Sequence, residues 1–262
     1  MTLPDIQLIN HVSREAGRAI LEIYDQDFTV EHKADKSPLT QADLASHRHI
    51  VAALREQTPD IPVLSEESAS IPWEERRQWQ RYWLIDPLDG TREFIKRNGE
   101  FTVNIALVED GLPVLGVVHV PVTGITYFGD REKGAFREDE NGQIMPIRVT
   151  TPCTTPIRVA GSRSHAGDSL QRFLSNLPEY EMVSMGSSLK LCLVAEGRAD
   201  IYPRLGPTSE WDTAAAQAVV EAAGGRVTDT DMQRLRYNQK ASLLNPHFLV
   251  FGDNDIDWKA WL

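Results

Sequence analysis

The sequence predicts a mixed fold in two parts: an α+β first part built on a mostly antiparallel sheet, and a smaller α/β second part whose sheet is covered by helices. Phe101, Val103, Ile105 and Leu107 alternate with Thr102, Asn104 and Ala106, the period-two pattern of a half-buried strand. Glu109-Asp110-Gly111 turns the chain into a second apolar run, Val114 to Val120, so the pair reads as an antiparallel hairpin. After Thr150 to Pro156, which is polar and proline-rich, strand-like runs alternate with helical stripes, as in a sheet covered by helices. That linker-like segment is the expected junction between residues 1–150 and 151–262.

Taken in order, Ile6, Ile9, Val12, Ala16, Ile20 and Ile23 keep helical spacing and predict an amphipathic opening helix. Glu31 to Pro38 reads as a loop. Thr40-Gln41-Ala42-Asp43 resembles a capping box, and Leu44, His47, Val51 and Leu54 continue a helix from it. Pro62-Val63-Leu64 is a short strand running into Ser65-Glu66-Glu67-Ser68, and Ser70 to Arg81 is a Trp-rich loop with a short helix. Ile125 to Phe128 and Gly134 to Arg137 are further strands. In the second part, Ile157–Ala160, Glu181–Met185, Ala199–Tyr202, Arg226–Thr228 and Phe248–Phe251 are expected strands. Asp168–Leu177, Ser187–Glu196 and an Ala-rich helix opened by Asp212 are expected helices, the last closed by Gly224-Gly225.

With 262 residues the chain can bury a sizeable core, and no apolar run approaches a membrane span. Met1 to Asp5 lacks the pattern of a secretion signal. Cys153 and Cys192 alone make neither a disulfide framework nor a metal-type spacing, so a reducing cytoplasm is the expected compartment. A net charge of −11 argues against a nucleic-acid polymer as partner. It also means that a phosphate substrate would need metal ions and local Lys or Arg to reverse the field.

The stretch richest in chemistry is Tyr82 to Thr91. The apolar run Tyr82 to Ile85 reads as a buried strand that stops at Asp86-Pro87, because Pro87 lacks an N–H and fixes φ. Asp89-Gly90 is a turn signal, and Thr91 to Lys96 looks like a helix start. Two carboxylates beside free helix N–H groups suit a metal-bound phosphate, although an ordinary Asp-Pro, Asp-Gly loop has the same local pattern. Glu66, Glu67 and Asp212 also stand at element ends, where α/β sheets place ligands. No thiolate or imidazole cluster competes, so the implied ion is hard and oxygen-loving, with Mg²⁺ first. For Asp43 the local pattern gives helix capping.

Glu66-Glu67-Ser68, Asp86-Pro87-Leu88-Asp89-Gly90-Thr91 and Trp211-Asp212-Thr213-Ala214-Ala215 occur in the order of three signatures of a known superfamily. The chain resembles the lithium-sensitive, Mg²⁺-dependent phosphatases that include inositol monophosphatases and fructose-1,6-bisphosphatases. Trp83 to Arg97, Ser162-Arg163-Ser164-His165 and Gly186-Ser187-Ser188-Leu189-Lys190 look closest to the bacterial CysQ-type 3′(2′),5′-bisphosphate nucleotidases. The resemblance implies a layered α-β-α-β-α sandwich and two or three Mg²⁺ per site. Glu66, Asp86 and the Leu88 carbonyl would hold the first ion; Asp86, Asp89 and Asp212 would hold the second. Gly90 and Thr91 would meet the scissile phosphate, and Asp43 with Thr91 would orient the attacking water, with Glu66 helping to position it. Glu67 would be a supporting acid or a weak third-ion ligand. Ser187, Ser188, Lys190 and Arg204 would meet the nucleotide, with Arg163 and His165 at the adenosine end; surface roles for Lys190, Arg204 and His165 are the alternative. Lys96 and Arg97 border the phosphate site or are simply solvated, and Trp211 is packing.

The implied activity is hydrolysis of adenosine 3′,5′-bisphosphate to AMP and phosphate, extending to 3′-phosphoadenylyl sulfate, in clearing a by-product of sulfate assimilation. Li⁺ would compete at the second ion. An inositol-phosphate phosphatase is the alternative within the superfamily, and a non-catalytic phosphate-binding protein the alternative outside it. Some relatives lie at the inner face of the inner membrane, so peripheral association there is compatible with the resemblance.

Overall fold

The structure, a computed structural model, describes residues 2–26, 30–32, 38–162 and 167–262. Helix α1 (Ile6–Tyr24) is capped by Asp5, whose carboxylate accepts the Gln7 N–H. Strands β1 (Val30–His32) and β2 (Pro38–Thr40) form a small antiparallel pair that the sequence did not announce. Helix α2 (Gln41–Gln57) starts from Thr40 in the expected capping box. Then come β3 (Val63–Ser65), a 3₁₀ turn (Glu66–Ser68), α3 (Trp73–Arg76), β4 (Arg81–Asp89) and α4 (Thr91–Ile95). The hairpin β5 (Thr102–Glu109) and β6 (Leu112–His119) follows, with β7 (Thr126–Asp130), β8 (Gly134–Glu138) and β9 (Ile144–Pro146). The remaining elements are β10 (Ile157–Gly161), α5 (Asp168–Asn176), β11 (Tyr180–Ser184), α6 (Leu189–Ala195) and β12 (Ile201–Arg204). A 3₁₀ turn (Glu210–Asp212), α7 (Ala214–Ala222), β13 (Arg226–Asp229), β14 (Phe248–Phe251) and a last 3₁₀ turn (Trp258–Trp261) complete the chain.

Strands β3 to β9 form a seven-stranded sheet in chain order, antiparallel apart from β3 on β4. The second sheet has the order β11-β10-β12-β14-β13. Side chains alternate between two cores along each central strand. Trp83, Ile85, Val103, Ile105 and Val117 pack with α1 and α2, whereas Tyr82, Leu84, Ala106, Val108 and Val118 pack toward α6 and α7. In the second sheet Val159, Ile201 and Phe251 face α5, while Ala160, Tyr202 and Val250 face α6 and α7. The result is the α-β-α-β-α layering, with α6 and α7 sandwiched between the sheets.

Three readings of the sequence need correction. The Phe101–Leu107 strand is not half-buried: both faces are covered, and Thr102 and Asn104 are at most 1% exposed. Nor does the strand before Asp86 stop there. It runs to Asp89 through a bulge, pairing Asp86 with Asn104 and then Asp89 with Thr102. Pro87 sits inside the bulge, where no ladder N–H is needed. Third, Asp212 does not open α7; it ends the preceding 3₁₀ turn, which is capped by Ser209.

Helix α7 lies unusually close to the first sheet. A Cβ at Gly116 would stand 2.1 Å from the Ala215 carbonyl oxygen and 2.8 Å from Ala218 Cβ. The Ala-rich sequence of α7 and the glycine of β6 are two halves of one close contact. Gly116→Ala should therefore push α7 off the sheet and cost about 2–3 kcal/mol, a fall in Tm of roughly 5–10 °C. Calorimetry checks this, and an unchanged Tm would mean that α7 can slide freely.

Candidate active site

The bulge gives the Asp86–Thr91 segment its shape. Asp86 Oδ1 accepts the Leu88 N–H at 3.0 Å, and Ser46 on α2 donates to the Pro87 carbonyl at 2.7 Å. Gly90 has φ +92°, and a Cβ there would meet Glu100 O at 3.1 Å and Ser187 Cβ at 3.2 Å. Only glycine fits that turn without strain. Leu88 O is left outside the ladder, with the Thr91 hydroxyl 3.4 Å away.

Register brings the acids together. Strand β3 pairs in parallel with β4 so that Ser65 lies beside Ile85, and the next residues, Glu66 and Asp86, fall side by side within hydrogen-bonding reach. From the other half of the chain comes Asp212, whose Oδ2 accepts the Ser209 N–H at 2.9 Å. Ligand atoms of Asp86, Asp89 and Asp212 lie within 4.8 Å of one another. Burial raises the Asp86 carboxyl well above its ordinary range, and Glu66, Asp89 and Asp212 raise it further. Burial also raises Asp89, against the opposing charge of Lys190, and pushes Asp212 up to about 8 with help from Asp89. Acids so arranged repel one another unless a cation lies between them. The all-oxygen donor set fits a hard divalent ion, with Glu66, Asp86, Asp89, Asp212 and Leu88 O as the groups that would hold it. Glu67 faces His47 instead, where its charge opposes the lowering of the imidazole pKa by burial.

Asp43 closes the helix cap and also reaches Thr91. Its Oδ2 accepts the Thr40 N–H and hydroxyl, each at 2.7 Å, closing the capping box. Its Oδ1 faces the Thr91 hydroxyl at 3.3 Å.

The polar face of β5 forms the floor of the site. The Ser188 N–H donates to Asp89 Oδ2, and Thr102 Oγ1 lies 3.5 Å from the same oxygen. The Ser188 hydroxyl is buried between Thr102 Oγ1 at 2.8 Å and Asn104 Oδ1 at 3.0 Å. Ser188 thus lies beneath Asp89, while Ser187, held at φ +45°, lines the recess beyond it. Lys190 and Arg204 line the same recess. Lys190 Nζ donates to Ser187 O at 2.7 Å and lies 5.5 Å from the Tyr202 ring; burial lowers its pKa to about 8, against the pull of Asp89. Arg204 donates through Nη2 to Pro207 O at 2.7 Å, and its buried Nε has no hydrogen-bond partner. Arg163 and His165 lie outside the described residues. Arg97 is turned away, donating to Tyr24 O and Gln26 O at 2.6 Å each, and Lys96 is exposed. Trp211 packs on the central core.

Residues that the sequence did not single out fix the Asp212 turn. Asn245 Nδ2 donates to Ser209 O at 2.8 Å, and Tyr237 Oη donates toward Gln217 Oε1 at 2.6 Å. Glu210 accepts the Asn238 N–H at 2.9 Å, and Asn238 Oδ1 accepts from the buried Arg76 at 2.6 Å. Arg76 stands in the connection between Glu66 and Asp86, so this clasp ties the two halves of the acidic cluster. Arg-Arg-Gln-Trp in a polar loop carries no signal of such a role.

The whole arrangement has known counterparts. The family model described as the inositol monophosphatase family matches residues 4–251. The 3′(2′),5′-bisphosphate nucleotidase CysQ of Salmonella typhimurium (strain LT2) is 51% identical over 247 residues, 94% of this chain and 98% of that protein. The Escherichia coli (strain K12) protein of the same name is 52% identical over 241 residues, 91% of this chain and 96% of its own. Among solved structures, CysQ from Bacteroides thetaiotaomicron superposes with a TM-score of 0.84 at 40% identity, covering 95% of this chain and 97% of that one. A match of this extent accounts for the acidic strand end, the bulged loop and the capped turn together: the chain belongs to the inositol monophosphatase family.

Proposed function

We propose that the protein is an Mg²⁺-dependent phosphomonoesterase that converts adenosine 3′,5′-bisphosphate and water to AMP and phosphate, and that also accepts 3′-phosphoadenylyl sulfate. The observation that carries the reading is the convergence of Glu66, Asp86, Asp89 and Asp212 beside a recess walled by Lys190 and Arg204. The names of the relatives at 51–52% identity support the nucleotide as substrate. Cytoplasmic work on sulfate assimilation follows from the same reading; both cysteines are free, and no described helix is long and apolar enough to cross a membrane.

When bound, Mg²⁺ would supply Lewis-acid stabilisation of the phosphoryl and leaving oxygens and would acidify water. The chain supplies orientation. Asp43 Oδ1 accepts a hydrogen bond from the Thr91 hydroxyl, which leaves a lone pair on Thr91 Oγ1 to accept one from the attacking water. Glu66, at the edge of the same cavity, helps to fix that water opposite the scissile bond. The N–H groups of Gly90 and Thr91 at the start of α4 would meet the phosphate oxygens. As the water oxygen bonds to phosphorus the P–O3′ bond breaks, and the proton that the water gives up ends on the ribose oxygen. Lys190 and Arg204 offset the charge of the bound nucleotide in a protein of net charge −11.

The test is phosphate release from adenosine 3′,5′-bisphosphate and from inositol 1-phosphate, side by side, with Mg²⁺ titrated from zero. At least tenfold preference for the nucleotide, strictly Mg²⁺-dependent, is expected. Preference for the inositol ester would replace the reading with that of an inositol-phosphate phosphatase, and no turnover of either would favour a non-catalytic phosphate-binding protein.

A further inference from the structure

The acidic cluster opens into two cavities, and a third adjoins them. The first holds Glu66, Asp86, Leu88, Asp89 and Thr91. The second is the recess of Ser187, Lys190 and Arg204. The third is an outer groove along Gly161, Ser162, Leu170 and Leu205. Among the described residues, Arg92 alone lines all three.

Its place follows from the turn beneath it. Gly90 in the left-handed conformation starts α4, Thr91 faces the acidic cluster, and Arg92 is the next residue, its carbonyl fixed by the Lys96 N–H at 3.0 Å. The backbone anchor of Arg92 is therefore one residue from the scissile position, while its side chain is exposed where the cavities meet. The other two cations of the recess are less exposed than Arg92. Lys190 is 6% exposed and bonded to Ser187 O and Met185 O, and Arg204 is bonded to Pro207 O. Glu93 also lines the first two cavities, so a second phosphate entering there meets an acid as well as the cluster behind it. A doubly charged group is accommodated next to those acids only if a cation reaches it, and a guanidinium does so with two parallel N–H donors.

We propose that Arg92 pairs with the phosphate that is not cleaved and is the residue that sets the preference for a nucleoside bisphosphate over a monophosphate. The proposal rests on the reading of the site as a nucleotide phosphatase. It assigns recognition of the second phosphate to an exposed side chain at the junction of the cavities, alongside the recessed Lys190 and Arg204.

The experiment compares adenosine 3′,5′-bisphosphate with adenosine 3′-monophosphate in the wild type, Arg92→Ala, Arg92→Lys and the control Lys96→Ala. Arg92→Ala should lose about 10- to 100-fold in kcat/KM on the bisphosphate, mainly through KM, and change less than about twofold on the monophosphate. Arg92→Lys should recover part of the loss, and Lys96→Ala should match the wild type. AMP carries only the uncleaved phosphate, so its affinity by calorimetry should fall by a similar factor in Arg92→Ala without any turnover. Equal losses on both substrates would place Arg92 on the scissile phosphate and overturn the proposal, as would unchanged kinetics and AMP binding. A wild type that ignores the bisphosphate would instead sink the functional reading itself.

Discussion

Asp89→Asn should abolish hydrolysis, with kcat/KM on the bisphosphate falling by at least about 10³-fold. Asn matches Asp in shape, so the effect has to come from charge and from donor direction. Asp89 Oδ2 accepts the Ser188 N–H, and the amide oxygen of Asn must take over that bond, because an NH₂ group there would face another donor. The NH₂ then points toward Asp86 and Asp212, whose ligand atoms lie within 4.8 Å of those of Asp89. A hydrogen-bond donor comes to stand where a cation would sit, and it relieves the same repulsion. Phosphate release and Mg²⁺ calorimetry on the variant, with an unfolding curve to show that it is folded, check this. Turnover within tenfold of the wild type would rule out Asp89 as a ligand.

The second large effect is on stability. Chelated protein should lose stability relative to Mg²⁺-loaded protein as pH rises from 5 to 8, the gap widening by on the order of 3 kcal/mol. The sign follows from the direction of the shifts. Asp86 and Asp89 are raised, and Asp212 is pushed to about 8 from 3.8. Below the unfolded value both states hold the proton, and the contribution to stability is complete. Between the unfolded and folded values the unfolded chain releases the proton first, so rising pH favours unfolding. Bound Mg²⁺ selects the ionised carboxylates of the folded state and gains affinity over the same range. His119 works in the opposite sense. Burial holds it down to about 4, so its contribution, present above 6.5, is lost as pH falls. It affects both forms alike and cancels in the difference. Urea unfolding at several pH values, with chelator and with Mg²⁺, measures that difference; a gap independent of pH would mean that the acids do not carry it.

Much of the site was legible because its parts carry local signals. Asp86-Pro87 and Asp89-Gly90 mark the turn, Thr40 to Asp43 marks the helix start, and the acids stand at element ends. The floor of the site was not legible, because Thr102 and Asn104 alternate with apolar residues as they would in a strand facing water. Period two says only that two faces differ. It does not say that the polar face is covered by the layer carrying Ser188. Asp86 stands in the acidic cluster, but the reason read from the sequence was only half right: Pro87 breaks the register without ending the strand. The Arg76–Asn238–Glu210 clasp joins residues far apart in sequence, and no spacing rule reaches that distance. Arg92 lay in plain view inside the phosphate-loop signature, but its position at the meeting of three cavities depends on β12 and the segment after it.

Asp43 has a dynamic consequence. One of its oxygens closes the first turn of α2, and the other faces Thr91, 48 residues away in sequence. Fraying of that helix end would move the carboxylate that the Thr91 hydroxyl faces, so the closed turn and the Thr91 contact are coupled. A ligand that engages Thr91 should slow amide exchange at Ala42 and Asp43, making the start of α2 a reporter of occupancy at a site that its own backbone never touches.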